Sequence, residues 1–564
     1  MDKRSKLILA AIMLLGAILR VWGIGYGLPY QFHQDEPMFV NHALAYGSGD
    51  LNPHYFILPP FTSYILFFFY AVYFLLLNLT GVIKGTDAFI VDFLRDPTPF
   101  YIIGRVAVGL IPSLANIYLA YKLASKFFSA KTALFSALFM AVTFLNVVNA
   151  HYIYADNLLV FFTLLAYIAM AAYMEHPSKK ACVLAAIFTG LAVAAKYNAA
   201  MLAVSFLIAH MVSNNNTPAK KTSYLNLLLF ICVMMLFFVI GNPYSVLDWR
   251  FFLSSVPGRI YHTYTGWSHH IKYSLFEGMG CVSTVTGIAG LCGMFMKKNK
   301  NAIFFISFPV LFYLHLVFMS QQFTRYVIAL VPFLAMGLGY IFFDWLYAKS
   351  RSRPFHTALI LLSCMIAVPT AAKSITADAL FSREDTRMAA TRWIEQNIPV
   401  SAKIALDDGF FTPRIKQAVS QLKEKYSIIN RQPELAGLKG RKLGLQIRAL
   451  QGEKTYNVYY INSDNGEFGQ FLSLWPPIKN DLGTLKQNGV EYVVINNMAV
   501  SEDIRRFQKD VAAGYDPIAR FSPYKDEIFR RSYDEVDNTC IPIAGKELFS
   551  RGRFGPYLMI YKIK

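Results

Sequence analysis

Residues 7–24 read LILAAIMLLGAILRVWGI, an apolar stretch long enough to cross a bilayer as an α-helix. Lys3, Arg4 and Lys6 precede it, and basic residues favour the cytoplasmic side of a membrane. The sequence HQDE follows at residues 33–36, so the acidic pair Asp35–Glu36 is expected beside the membrane on its outer face. This part of the chain therefore predicts an integral membrane protein with carboxylates at the outer surface.

The acidic pair allows two interpretations. Adjacent carboxylates at a membrane surface lose hydration and repel each other, which favours a role as a general base or in cation binding. Alternatively, the pair simply begins a helix, because Asp and Glu stabilise the first helical turn. The dipeptide alone does not choose between these interpretations, and the rest of the chain is needed.

The composition is typical of a membrane protein, with 55% hydrophobic residues among 564 and a mean hydropathy of +0.37. The net charge of +19 would suggest nucleic acid as the partner of a soluble protein. Here many basic residues cluster in short loops between apolar stretches, where they set orientation. Five of the six cysteines lie in apolar stretches and Cys540 lies in the polar tail, which argues against disulfides or a cysteine metal site.

The basic loops predict the topology. If all of them face the cytoplasm, about eleven crossings result, with the N-terminus inside and the polar C-terminal part outside the cell (inner) membrane. The predicted crossings are 7–24, 101–121, 132–150, 157–174, 181–195, 198–212, 224–241, 276–296, 302–319, 327–346 and 356–373. We therefore expect an α-helical multi-pass membrane core, residues 1–373, followed by a soluble extracytoplasmic α/β domain, residues 374–564.

Two segments deviate from simple spans. Pro59–Leu79 is apolar enough to cross, but a crossing there would move every later basic cluster outside. It is therefore predicted to be a juxtamembrane or re-entrant helix in the first external loop, with a true span as the alternative. Residues 181–212 are short for two crossings, which predicts a tight hairpin broken near Lys196, on the side of Asp35.

The polar C-terminal part mixes helical and strand-like patterns. Helices are expected at 383–397 and 415–425, and strands at 403–406, 456–461, 491–495 and 557–563. Mixed helices and strands of this length predict a small α/β domain. Its expected role is structural, as a cover over the membrane site.

With this topology, polar side chains collect at the outer face. The carboxylates are candidates for catalysis, the cations for binding a donor phosphate, and the others for substrate contact. In that order they are Asp35, Glu36 and Asp156; Lys196, Arg325 and Arg105; and His33, His54, Tyr326 and His269. Arginine binds phosphate with two donors and lysine as a point charge, and a carboxylate can take a proton from an attacking hydroxyl.

Each candidate also has a structural explanation. Arg105 and Arg325 can extend to the interface from helix ends, Asp156 can cap the helix after it, and His269 can be an ordinary loop residue. Oxygen ligands on Asp35 and Asp156 would suit magnesium or manganese, but no spacing here has the specificity of a metal motif. Base catalysis without a metal is the preferred prediction, and a divalent cation on these two carboxylates is the alternative.

Five short sequences follow one another in a recognisable order. They are DE at 35–36, NPHYFILPP at 52–60, YADNLL at 154–159, GLAVAAKYNA at 190–199, and Arg325–Tyr326 with Pro332. Over about residues 7–350 the chain resembles the GT-C class of integral-membrane glycosyltransferases, in particular the branch of protein O-mannosyltransferases and lipid A aminoarabinose transferases. The order and sidedness of the motifs carry this resemblance, since each motif alone is weak.

The resemblance implies a GT-C-like core with juxtamembrane helices in the first external loop. It also implies a polyprenyl-phosphate sugar donor, inversion at the anomeric carbon, and activation of the acceptor hydroxyl by Asp35. Aminoarabinose transferases carry a lysine just before the proline pair, where this chain has Leu58. A phosphate contact from that place is lost, so Lys196, Arg105 or Arg325 would have to replace it.

The predicted function is transfer of a sugar from a polyprenyl phosphate to a hydroxyl of a lipid, glycan or protein, with no required cofactor and no nucleic acid partner. Three alternatives stay open: a metal-dependent transferase using lipid-diphosphate glycans, a transporter, and a non-catalytic membrane scaffold. The transporter is disfavoured because the sequence has no visible inverted repeat and its charges collect on one face.

Overall fold

The computed structural model describes residues 2–216, 224–255, 266–296, 300–319, 322–349, 352–406, 411–431, 437, 440–461, 480–498, 502–530 and 544–564. Cys540 lies outside the described residues. Helices make up the chain as far as residue 397, and helices mixed with strands follow. This division agrees with the predicted helical membrane core and C-terminal α/β part.

Besides a short 3-10 helix, the described residues of the membrane part form a bundle of eighteen helices. The first ten are α1 (Lys3–Val21), α2 (Glu36–Tyr46), α3 (Phe61–Leu79), α4 (Gly85–Arg95), α5 (Thr98–Phe127), α6 (Ala130–Val142), α7 (Phe144–Ala150), α8 (Asp156–Glu175), α9 (Lys179–Ala195) and α10 (Leu202–Asn216). The others are α11 (Tyr224–Gly241), α12 (Tyr244–Leu247), α13 (Trp249–Ser255), α14 (Trp267–Met279), α15 (Cys281–Met296), α16 (Lys300–Val317), α17 (Thr324–Lys349) and α18 (Arg353–Phe381). Lys196 ends α9, and the short 3-10 helix Tyr197–Met201 leads into α10, so the predicted hairpin break is confirmed.

Six helices in the described part of the chain are long and apolar enough to cross a membrane, or eight if two bent pairs each count as one span. This is fewer than the eleven crossings expected, because some expected crossings are short or bent and α1 carries several basic residues. Each of the eleven expected crossings nevertheless overlaps a helix or, at 132–150 and 276–296, a bent pair of helices. The chain is therefore an integral membrane protein with a multi-pass helical core.

The helix α3 is one of the six candidates by length and composition. It starts beside α2, and the Tyr70 hydroxyl in its middle donates to the carbonyl oxygen of Phe100 at 3.0 Å. The next helix, α4, contacts the C-terminal domain, since Asp87 pairs with Arg441 at 2.6 Å. The juxtamembrane placement of α3 stays a prediction, with a true span as the alternative.

The C-terminal domain is built around one sheet. Its strands are β1 (Lys403–Leu406), β2 (Asn457–Tyr460), β3 (Tyr492–Asn496), β4 (Pro517–Phe521) and β5 (Leu558–Lys562), in the order β2-β1-β3-β5-β4. Its helices are α19 (Thr386–Asn397), α20 (Val419–Asn430), α21 (Arg441–Ala449), α22 (Leu482–Gln487), α23 (Glu502–Gly514) and α24 (Gly545–Ser550). The strand β1 pairs in parallel with β2 and β3, whereas β5 pairs antiparallel with β3 and β4. Every residue of β3 is buried because α19 covers one face of the sheet and α23 the other.

The predicted elements of this domain are mostly present. The strand 403–406 has the predicted bounds, and the other three predicted strands agree within one residue at each end. The helix predicted at 415–425 starts too early, because Tyr456 donates its backbone N–H to Lys416 and accepts from Ala418, at 2.9 and 2.7 Å. The last membrane helix, α18, continues beyond residue 373 to Phe381.

The C-terminal domain packs on the end of the bundle that carries Asp35. The Glu277 carboxylate accepts from Lys373 Nζ at 2.9 Å and from the backbone N–H of Gly545 at 3.1 Å. An apolar cluster that includes Tyr26, Phe381 and Phe554 closes the same junction. These contacts place the C-terminal domain against the loop between α1 and α2.

Candidate functional site

The acidic pair lies where the first loop enters α2. Asp35 occupies the N-cap position, and Glu36 and Pro37 begin the helix. The two carboxylates differ in exposure: the Asp35 side chain is 30% exposed, whereas that of Glu36 is completely buried. The carboxylate of Asp35 is therefore accessible to solvent, whereas that of Glu36 is enclosed by protein.

A row of alternating charges starts at Asp35. Its Oδ2 accepts from Arg325 Nη2 at 2.7 Å. Arg325 Nε lies 3.9 Å from Asp156 Oδ2, and Asp156 Oδ1 accepts from Lys196 Nζ at 2.6 Å. The row joins the loop after α1 to the starts of α8 and α17 and to the break after α9, so segments far apart in sequence meet at one place.

Aromatic rings enclose the two cations of this row. Lys196 Nζ lies 4.4 Å from the centroid of the Tyr326 ring. The guanidinium carbon of Arg325 lies 4.3 Å from the Phe323 ring and 4.6 Å from the Tyr154 ring. Rings at these distances attract a cation through their negative faces and hold it in position with little water.

His33 supports the backbone of Asp35. The Asp35 N–H donates to His33 Nδ1 at 3.1 Å, so the hydrogen of a neutral ring is on Nε2, which faces the Tyr154 hydroxyl. Burial lowers the pKa of His33 well below its usual value, and the nearby Arg325 adds to this effect. His33 is therefore a neutral link between Asp35 and Tyr154.

The Glu36 carboxylate forms a separate, closed ion pair. Arg105 donates to it twice, from Nε at 2.8 Å and from Nη2 at 2.7 Å. The backbone N–H of Ile153 donates to Glu36 Oε1 at 3.0 Å, and Arg105 Nη1 donates to the carbonyl oxygens of Ile24 and Tyr26 at 2.7 and 2.8 Å. These contacts join α2, α5 and the first loop, and they occupy the donors of Arg105.

Two predicted contacts lie in other surroundings. His54 is on an exposed turn, where its Nε2 lies 2.8 Å from Asp50 Oδ2. His269 belongs to α14, with the rings of His270 and Tyr273 5.5 and 5.2 Å away. Tyr326, in contrast, joins the row of charges through Lys196.

The residues that were proposed for a metal face cations instead. Arg325 lies 2.7 Å from Asp35, and Lys196 lies 2.6 Å from Asp156. Within the described ranges, no group of three or more His, Cys, Asp or Glu side chains is arranged to hold a metal ion. A divalent cation does not fit between these carboxylates while each of them pairs with a side-chain cation.

Sequence reasoning missed two parts of the site. Tyr154 and Phe323 contact Arg325. The motif YADNLL includes Tyr154, but it did not predict this contact, and the signal for Phe323 is its position two residues before Arg325. The buried contact of Tyr26 with Asp385, at 2.6 Å, joins residues 359 positions apart and had no local signal.

Comparison with known proteins finds a match to one protein family over part of the chain. Residues 104–240 match the family model of dolichyl-phosphate-mannose-protein mannosyltransferases. The resemblance to GT-C glycosyltransferases is thereby confirmed. The matched segment includes Arg105, Asp156 and Lys196, whereas Asp35 and Arg325 lie outside it.

The chain is also similar, at low sequence identity, to solved structures. ArnT from Cupriavidus metallidurans bound to undecaprenyl phosphate has 14% identity and a TM-score of 0.49, covering 92% of this chain and 97% of that one. The Archaeoglobus fulgidus oligosaccharyltransferase in the apo form has 12% identity and a TM-score of 0.46, covering 87% of this chain and 69% of that one. No curated protein sequence matches the chain significantly. The family match supports glycosyltransferase activity by this membrane-spanning chain.

Proposed function

We propose that the chain is an inverting glycosyltransferase that moves a sugar from a polyprenyl phosphate to a hydroxyl group at the outer face of the cell (inner) membrane. The observation that carries the proposal is the row Asp35, Arg325, Asp156 and Lys196, in which neighbours lie 2.6 to 3.9 Å apart. Two cations that can bind a phosphate therefore lie next to a carboxylate that can accept a proton. With the N-terminus in the cytoplasm, this row lies at the outer surface.

Asp35 is the proposed general base. Its carboxylate is 30% exposed, so a hydroxyl group can reach it, whereas the Asp156 side chain is only 5% exposed. Glu36 is enclosed and bound at both oxygens by Arg105. A positioned base contributes about 10²–10⁴-fold to the rate. Asp156 is assigned to holding Lys196 and Arg325, and Glu36 to holding the loop.

Arg325 and Lys196 are proposed to bind the donor phosphate. Each now pairs with a carboxylate, and a phosphate is a better partner for both because it accepts several charge-assisted hydrogen bonds at once. Binding of the donor would therefore draw Arg325 away from Asp35 and free this carboxylate to accept a proton. Arg105 has its donors on Glu36 and on backbone carbonyls, so we assign it a positioning role.

The proposed transfer is a single displacement. The acceptor oxygen forms a bond to the anomeric carbon while the bond from that carbon to the phosphate oxygen breaks. The hydroxyl proton moves to Asp35, and the bonding electrons leave with the polyprenyl phosphate, whose charge Arg325 and Lys196 stabilise. Attack opposite the leaving group inverts the anomeric configuration. His33 and Tyr326 are the nearest candidates for substrate contact, and His54 and His269 remain predictions.

The test begins with the donor. Mass spectrometry of the full chain purified in lipid should detect a bound polyprenyl-phosphate glycan, and that glycan then serves as the donor in a transfer assay. Asp35→Asn should lower kcat by about 10²-fold or more while donor binding persists. Asp96→Asn is the control, because Asp96 is an exposed acid of the same predicted external loop, and its side chain accepts from the backbone N–H of Thr98 at 3.0 Å. Undiminished transfer by Asp35→Asn would eliminate Asp35 as the base.

Two further arms of the assay separate the alternatives. Loss of transfer after treatment with a chelator, restored by magnesium or manganese, would favour a metal-dependent enzyme acting on lipid-diphosphate glycans. Uptake of a sugar by vesicles without any lipid donor would favour a transporter. The proposed mechanism predicts chelator-insensitive transfer and no uptake.

A further inference from the structure

A buried ion pair begins the C-terminal domain. Asp385 is the N-cap of α19, and its Oδ1 accepts from the backbone N–H of Arg387 at 2.8 Å. The Arg387 guanidinium returns to the same carboxylate, from Nε and from Nη2, each at 2.9 Å. Both side chains are buried at the junction with the membrane core.

This ion pair contacts the loop that carries Asp35. The Tyr26 hydroxyl donates to Asp385 Oδ2 at 2.6 Å. The guanidinium carbon of Arg387 lies 3.8 Å from the centroid of the Phe32 ring, which is 3% exposed. Phe32 directly precedes His33, whose ring accepts the backbone N–H of Asp35. The C-terminal domain thus reaches within three residues of the proposed base.

The membrane core holds the same loop from the other side. Arg105 Nη1 donates to the carbonyl oxygen of Tyr26 at 2.8 Å while its other nitrogens bind Glu36. Tyr26 is therefore fixed at its backbone by the core and at its hydroxyl by the C-terminal domain. A loop fixed at several points loses less conformational entropy when it must adopt one reactive geometry.

The end of the chain completes the junction. Thr386 donates its backbone N–H to Phe554 and its hydroxyl to Pro556, at 3.0 and 2.7 Å. Gly555 has a φ of +102°, and a Cβ there would lie 2.1 Å from Thr386 Oγ1. The last segment of the domain thus packs closely on the turn that carries Asp385.

We propose that Asp385 and Arg387 are positioning residues: through Tyr26 and Phe32 the C-terminal domain holds the loop 24–36 and so fixes Asp35 relative to Arg325. A catalytic group must be held within about 0.5 Å of its productive position by the side chains around it. The kinetic part of this inference rests on the proposed function, whereas the holding of the loop does not.

The test uses the full chain in lipid with three variants and one control. Arg387→Ala removes the contact with Phe32, and Arg387→Lys keeps the charge but loses the planar fork. Tyr26→Phe removes the hydroxyl that donates to Asp385 and accepts from Arg387 Nη2 at 3.4 Å. Arg392→Ala is the matched control, since Arg392 lies on the same helix and pairs with Glu384 at the surface. Hydrogen exchange of peptides covering residues 24–36 is measured first, because it needs no substrate.

Arg387→Ala should increase exchange in residues 24–36 and lower kcat about tenfold, with KM for the donor unchanged. Arg387→Lys should be intermediate, Tyr26→Phe should change both measurements in the same direction, and Arg392→Ala should match the wild type. Unchanged exchange and kcat in both Arg387→Ala and Tyr26→Phe would overturn the inference.

The two readouts separate this inference from the proposed function. If the wild type transfers no sugar but Arg387→Ala still increases exchange in the loop, the proposed function fails and the holding of the loop is supported. If Arg387→Ala does not fold, Tyr26→Phe decides, because it removes a single oxygen atom and leaves the ion pair of Asp385 and Arg387 in place.

Discussion

Asp35 and Glu36 are neighbours in sequence, but their carboxylates bind different arginines, Arg325 and Arg105, each at 2.7 Å. The Asp35 pair lies at an accessible surface, and the Glu36 pair is enclosed between helices. The two members of the acidic pair thus lie in different surroundings, and the proposed catalytic role belongs to Asp35.

Glu36→Gln should destabilise the fold more than it affects chemistry. The change leaves the buried Arg105 guanidinium without a counter-charge, so we expect the free energy of unfolding to fall by about 3–5 kcal/mol. Asp35→Asn should cost less than about 1 kcal/mol, because its pair is partly exposed. Denaturant unfolding of both variants in the same detergent makes the comparison. Equal stability of the two variants would contradict the proposed role of Glu36.

Lys196→Met should weaken use of the donor. Lys196 is proposed to balance the charge of the leaving phosphate, so kcat/KM for the lipid donor should fall about 10²-fold, and Lys196→Arg should retain part of the activity. Lys180→Met is the matched control, because Lys180 is an exposed lysine at the other end of α9. Steady-state kinetics with varied donor would refute the assignment if both methionine variants behaved alike.

How far the sequence predicts the site depends on the distance between partners. If all basic loops face one side of the membrane, the number of crossings between them places four candidates on the opposite side. These candidates are Asp35, Asp156, Lys196 and Arg325, and they lie together in the structure. The pairing of Glu36 with Arg105 joins positions 69 apart, and no local pattern indicates which cation reaches which acid. Such choices depend on helix packing, which the sequence pattern does not encode locally.

The same limit applies to the fold. The strand 403–406 is predictable because it is short and apolar between turn residues, and it is buried in the structure. The strand 517–521 was not predicted. It begins with a proline, and its residues alternate between half-buried and exposed because it lies at an edge of the sheet. The helix 353–381 extends beyond its apolar pattern because the C-terminal domain covers its last turns.

Acid should destabilise the protein through His33. Burial and the neighbouring Arg325 keep the pKa of its imidazole low in the folded chain, whereas the unfolded chain takes up a proton near pH 6.5. The free energy of unfolding should therefore fall as the pH drops below about 6.5, by up to about 1.4 kcal/mol per pH unit, and His33 should contribute no pH dependence above that range. His33→Asn should make this dependence less steep, and His54→Asn, on an exposed turn, should leave it as in the wild type. Parallel curves for wild type and His33→Asn would exclude His33 as the source.

A close helix crossing far from the site should tolerate no added methyl group. The backbones of α15 and α17 approach so closely that a Cβ on Gly290 would lie 2.0 Å from the carbonyl oxygen of Gly337, and a Cβ on Gly337 would lie 2.4 Å from that of Gly287. Gly290→Ala must therefore push the helices apart, which should lower the free energy of unfolding by about 1–3 kcal/mol. Gly293→Ala, one turn later on the same helix, is the control. A Cβ at Gly293 would lie 3.9 Å from Tyr340 Cε1, which is an ordinary van der Waals contact. Thermal unfolding should separate the two variants clearly, and a Gly290→Ala protein as stable as the Gly293→Ala protein would mean that the helices do not cross this closely.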